Sequence, residues 1–234
     1  MEDFINFDIV KWTNSLKKEL LIVFSNRIQF IGLQGSYQRG EATTESDIDI
    51  VVVLDHLHVD DLKLYKKLIS DMPYHHKACG FICGKNELMD WPRYDLFQLY
   101  HDTKPLHGSM VDLIPEIKDH DILESVLIGA ANLYHASTHS YIYGKNNVKS
   151  LKKLLKNAFF ILQAKFRLET GKYVNSKHKL LDKLSGLDKE ILKLLINIKT
   201  ITNLSDTEID QSYENLMNWC QNILNQYQIK QSFK

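Results

Sequence analysis

Gly35-Ser36-Tyr37-Gln38-Arg39-Gly40-Glu41-Ala42-Thr43-Thr44-Glu45-Ser46-Asp47-Ile48-Asp49-Ile50 is the stretch on which the reading of this chain turns. It starts where a short apolar segment, Ile28 to Leu33, ends, and finishes inside the β-branched run Ile48 to Leu54. Both flanks have strand composition. Side chains alternate along a strand, so Asp47 and Asp49 share one face while Ile48 and Ile50 take the other. Two carboxylates so placed repel one another unless a cation lies between them. Hard oxygen donors select Mg²⁺ or Mn²⁺, which keep waters and take further ligands from phosphates. Gly35 permits a tight turn and a close backbone approach, and Ser36 offers a hydroxyl and an N–H to a phosphate oxygen. Gly40 lets the loop return toward the second strand. Together these are the parts needed for phosphoryl or nucleotidyl transfer.

Working outward, Ile9, Trp12, Leu16, Leu20 and Phe24 recur at helical spacing and predict an amphipathic helix. Asp60 to Ser70 reads as a surface helix. Lys77 to Cys83 and Leu96 to Tyr100 read as weaker strands. All four prolines lie at or before Pro115, and the long periodic runs beyond predict helices over Asp119–His139, Asn147–Thr170, Asp188–Ile201 and Asp206–Tyr227. Charge divides at the same place: residues 1–115 hold 12 basic against 17 acidic side chains, residues 116–234 hold 17 against 12. The expected fold class is α+β: a mixed sheet with helices over 1–115, then an all-α bundle over 116–234.

The 234 residues carry 29 basic and 29 acidic side chains, with a pI near 7.1, which argues against a dedicated nucleic-acid binder. No apolar run approaches the roughly 20 residues that span a bilayer. The start, Met1-Glu2-Asp3-Phe4, lacks the basic and apolar regions of a signal peptide. Three cysteines, Cys79, Cys83 and Cys220, do not make a disulfide framework. A reduced, cytoplasmic protein without membrane association is expected, as monomer or homodimer.

Gly-Ser, ten residues, then Asp-x-Asp resembles the signature of the polymerase-β-like nucleotidyltransferase superfamily, with Arg39-Gly40 and Ser46 also in keeping. A catalytic half followed by a helical half resembles the aminoglycoside nucleotidyltransferases. Within these, Thr170-Gly171-Lys172-Tyr173-Val174-Asn175-Ser176-Lys177 is similar to a Gly…Ser-Lys stretch of streptomycin/spectinomycin adenylyltransferases. The resemblance implies transfer of a nucleoside monophosphate, AMP from ATP, onto a hydroxyl of a small molecule such as an aminoglycoside-like antibiotic, with release of pyrophosphate. Asp47 and Asp49 would be catalytic and hold Mg²⁺ or Mn²⁺. Gly35, Ser36, Arg39 and Ser46 would bind the nucleotide. Eleven basic side chains between Lys145 and Lys183 face only Glu169 and Asp182 in that segment, and Lys177 is the candidate to close over the triphosphate.

The family normally places a third carboxylate on a later strand. Here the corresponding segment, Lys77 to Cys83, has no acid, and Cys79 stands at the expected position, a poor match for Mg²⁺. A base from the helical half (His135, His139 or Glu124, candidates on one helix), a substitute among Glu87, Asp90, Asp95 and Asp102, and loss of the base all remain open. A protein AMP-transferase and a catalytically weak nucleotide-binding regulator are the alternatives. Cys79, Cys83, His75 and His76 fit no zinc spacing. Arg167 and His178 are too far apart for the ribonuclease pattern of helical partner proteins.

Overall fold

Ile48–Leu54 forms β2, and its alternation organises the first half of the molecule. Ile48, Ile50, Val52 and Leu54 are fully buried in one core with Trp12, Leu16, Leu20 and Phe24 of α1 (Ile9–Phe24) and Leu68 of α3 (Val59–Ser70). Val51 and Val53 are equally buried but lie outside that core, on the opposite face with Asp49. β1 (Ile28–Gln34) pairs antiparallel with β2, and β3 (Ala78–Gly84) pairs parallel with its other side. β4 (Thr103–His107) completes a four-stranded mixed sheet in the order β3-β2-β1-β4. Short helices α2 (Gly35–Arg39), α4 (Lys85–Met89) and α5 (Arg93–His101) fill the connections.

The computed structural model describes residues 7–145, 147–198 and 200–231, with side chains to residue 227. The acidic N-terminal tetrapeptide lies outside them. The chain divides into two compact units, Met1–Glu116 and Ile117–Lys234. In the second, α6 (Asp119–Tyr143) packs against α7 (Val148–Thr170) and α10 (Asp206–Gln231), while α8 (Lys177–Leu181) and α9 (Gly186–Asn197) follow α7. Asn147 caps α7 through its side chain, which accepts from the Ser150 N–H at 3.0 Å. A buried polar network ties α7, α9 and α10 together. Lys165 donates to Asp188 at 2.5 Å, the Trp219 indole N–H donates to the same carboxylate at 2.7 Å, and Tyr227 donates to Glu169 at 2.8 Å. Burial opposes the charge on Lys165, but Asp188 and Glu169 outweigh it and its pKa is raised.

One expectation is corrected. Leu96 to Tyr100 is not a strand but the interior of α5. Pro92 precedes the helix, Asp95 occupies its first turn, and Leu96 and Phe97 are the buried pair. The strand lies just beyond, at Thr103–His107, and contains Pro105; β4 is an edge strand, where a missing N–H is tolerated.

Arg27, just before β1, meets Asp61 of α3 through two hydrogen bonds of 2.6 and 2.9 Å, and Asp55 at 3.1 Å. The Arg27 hydrogen bonds hold the Asp61 carboxyl down at about 2, against an ordinary 3.8. The stability this gives is complete above pH 4 and is lost as pH falls through about 2. Wild type should therefore melt above Asp61→Asn at pH 6, and the gap in melting temperature should narrow between pH 4 and pH 2. A constant gap across that window would contradict the assignment.

Candidate active site

The antiparallel pairing of β1 with β2 sets Gln34 opposite Asp49. The chain leaves β1 at the next residue, Gly35, whose φ of 75° is left-handed. A Cβ built there would lie 2.1 Å from Asp49 Oδ2. The two ends of the sequence motif, fourteen positions apart, are thus in contact. Between them the chain makes α2, whose last turn is closed by Glu41 N–H donating to Ser36 O at 2.9 Å. A second turn follows: Ser46 N–H donates to Thr43 O at 3.0 Å, and Thr43 N–H donates to Ser46 Oγ at 2.9 Å. Ser46 therefore shapes the approach to Asp47, which is exposed; Ile48 then anchors the strand in the core.

Arg39 turns inward. Its guanidinium pairs with Asp102, both side chains being almost wholly buried, and stands 3.5 Å from Glu41. Asp102 immediately precedes β4, whose Thr103 pairs with Gln34. The ion pair therefore braces the end of the turn that Gly35 opens against the sheet, a connection the motif alone did not suggest.

β3 brings Cys79 into register with Asp49, and Cys79 is exposed. Its neighbour Gly80 has φ 138°, and a Cβ there would fall 1.9 Å from the Ile50 carbonyl oxygen. Lys77, one residue before β3, donates from its ammonium to the carbonyl of Thr44 in the motif loop. The substitute acids are dispersed. Glu87 lies beside Gly84, which pairs with Leu54 at the far end of β2. Asp95 accepts from the Trp91 indole at 2.7 Å, Asp102 is held by Arg39, and Asp90 is exposed at the end of α4. Among the described residues no group of three His, Cys, Asp or Glu side chains is placed to hold a metal ion. Cys83 and Cys220 are buried, and burial pushes both thiols up to about 12, away from reactive or ligating thiolate.

The second unit carries the remaining sequence candidates. His135, His139 and Glu124 are exposed on α6, with the two imidazole rings 6.3 Å apart. Lys177, at the start of α8, is 8% exposed, with its ammonium 4.2 Å from the centre of the Phe159 ring. No described helix is long and apolar enough to cross a membrane.

A nucleotidyltransferase domain model matches residues 14–131, half of the chain, and covers most of α1, the Gly35–Ser36 turn and both aspartates. The protein belongs to the nucleotidyltransferase domain family. It is a transferase of the nucleotidyltransferase type. Its fold is similar to that of the spectinomycin adenyltransferase AAD(9) from Enterococcus faecialis, whose crystal structure was determined with ATP and spectinomycin. The two share 15% identity at a TM-score of 0.61, over 92% of this chain and 100% of that one. A toxin–antitoxin crystal structure with AMP-PNP is 26% identical over 42% of this chain and 75% of the other, at a TM-score of only 0.32. No curated protein sequence matches the chain.

Gly35→Ala tests the contact at the centre of the motif. The new methyl would meet the Asp49 carboxylate on a backbone that disfavours it, so a loss of about 1–3 kcal/mol in denaturant unfolding is the expected outcome. A fully stable Gly35→Ala protein would contradict the geometry.

Proposed function

We propose that this nucleotidyltransferase moves AMP from ATP onto a hydroxyl of a small molecule, with Asp47 and Asp49 as ligands of a Mg²⁺ or Mn²⁺ ion. One observation carries the reading: the β1–β2 register holds the Gly35 turn against the Asp49 carboxylate, with space for no side chain between them. The donor set supports the ion. Two carboxylates, Asp47 just before β2 and Asp49 within it, suit a hard cation that completes its shell with water and phosphate oxygens. Bound there, such an ion would offset triphosphate charge and raise the electrophilicity of the α-phosphorus.

The chain's own groups supply the rest. The Gly35–Ser36 turn presents a hydroxyl and N–H groups to the phosphates, and Ser46 keeps the loop folded toward them. In the transfer the acceptor oxygen bonds to the α-phosphorus, and the bond from that phosphorus to the pyrophosphate oxygen breaks. The electron pair leaves with pyrophosphate, and the acceptor proton passes to a base. His135 is the proposed base and Lys177 a proposed triphosphate contact. Arg39, assigned to nucleotide binding from the motif, serves in this reading through its grip on Asp102.

For the acceptor we infer an aminoglycoside-like polycation. The adenyltransferase with the similar fold was crystallised with spectinomycin, and residues 1–115 carry five more acidic than basic side chains. A second reading, a nucleotide-binding regulator with little turnover, is favoured by Cys79 beside Asp49 where the family has an acid.

A pyrophosphate-release screen of hydroxylated antibiotics and sugars with each NTP separates the two. Release should occur with ATP and at least one polycationic acceptor. Asp47→Asn and Asp49→Asn should each lower it about 100-fold or more with the fold intact by circular dichroism. Lys177→Ala should weaken ATP binding in calorimetry. Tight Mg-ATP binding without release across the panel would replace the transferase reading with the regulatory one.

A further inference from the structure

The second half of α6 carries two histidines on a stretch that is otherwise without charge. From Ser125 to Gly144 there is no Asp, Glu, Lys or Arg, and His135 and His139 are its only basic side chains. Leu133 and Ser137 are buried, and Ser137 donates to the Leu133 carbonyl at 2.7 Å, so the inner face of the helix is fixed. His135 and His139 are exposed one turn apart, their ring centres 6.3 Å from one another. Other imidazoles of the chain stand beside acids: His56 lies 3.1 Å from Asp55 and His120 3.1 Å from Asp121. His135 and His139 meet rings instead, each other's and, for His139, that of Tyr143 at 5.1 Å.

We propose that His135 and His139 together chelate a transition-metal dication of the imidazole-binding class (Ni²⁺, Cu²⁺ or Zn²⁺), with water completing the shell. Neutral imidazole nitrogen is a preferred ligand of these ions and a poor one for Mg²⁺, so this site differs in chemistry from Asp47 and Asp49. A metal–nitrogen bond of about 2.1 Å places two imidazole centres on one ion about 4.5–6 Å apart. The exposed rings reach that separation by small rotations about their side-chain bonds. The absence of Lys and Arg from the stretch leaves no neighbouring cation along the helix to oppose the ion. His139 also lies one turn before Tyr143, toward the helix end whose dipole favours positive charge. The site stands apart from the transferase reading, although at His135 an ion and a proton would compete for the same nitrogen.

The test is calorimetric titration of Ni²⁺ into the full chain without an affinity tag, with circular dichroism to check the fold of each variant. A Ni²⁺ site that His139→Ala weakens about tenfold or more is the expected result, because the second imidazole binds as an intramolecular ligand. In the His139→Ala background, Ala131→His rebuilds the i, i+4 spacing with His135 and should restore the affinity. Ala136→His, adjacent to His135 and turned away from it, should not. None of the three substituted positions is buried. Equal Ni²⁺ affinity in the wild type and His139→Ala overturns the proposal, as does rescue by Ala136→His or none by Ala131→His.

Discussion

A turn with no side chain, pressed against a carboxylate, is the constraint on which this structure depends. Gly35 and Asp49 are neighbours because Gln34 and Asp49 are paired across β1 and β2, and that pairing leaves no volume for a Cβ. Everything nearby serves to hold it. Ile48 and Ile50 fix the strand from the core side, so Asp49 must face away from it. Arg39, buried with Asp102, ties the exit of the turn to the start of β4 on the other side of β1. Ser46 and Thr43 close the loop that delivers Asp47, and Lys77, just before β3, grips the same loop. Removing one partner of a buried pair such as Arg39–Asp102 would leave an uncompensated charge, so the brace is strong against loss though modest in net stability.

The electrostatic logic follows from what is absent as much as from what is present. Asp55 and Asp61 are drawn to Arg27, Asp102 to Arg39 and Asp95 to Trp91, and the strand beside Asp49 offers a thiol. A centre with so little negative charge suits a hard ion that borrows its remaining ligands from phosphate. In the second unit, charge is put to a different use. Lys165, Asp188 and Glu169, with Trp219 and Tyr227, form a closed network in which each buried polar group meets a partner, which fixes how α7, α9 and α10 pack.

Much of this was legible in the residue order. The alternation of Ile48-Asp49-Ile50 revealed both the strand and the direction of its aspartate, because a period of two leaves no other arrangement. The long helices followed from spacing in a proline-free half. What escaped was decided by tertiary pairing. Leu96 to Tyr100 is apolar enough for a strand, yet Pro92 and Asp95 begin a helix there, and Pro105 disguised the real edge strand. The Arg39–Asp102 pair was out of reach because its partners are 63 positions apart, and no local pattern announces such a contact. Lys77 went unremarked for the same reason; only the β2–β3 register brings it to Asp47.

The most direct test of the central claim is a crystal structure of the chain with Mn²⁺ and a non-hydrolysable ATP analogue, with the ion located by anomalous scattering. The account predicts an anomalous peak touching both the Asp47 and Asp49 carboxylates, with the triphosphate lying on the Gly35–Ser36 turn. A nucleotide bound elsewhere, or an ion that touches neither aspartate, would contradict it.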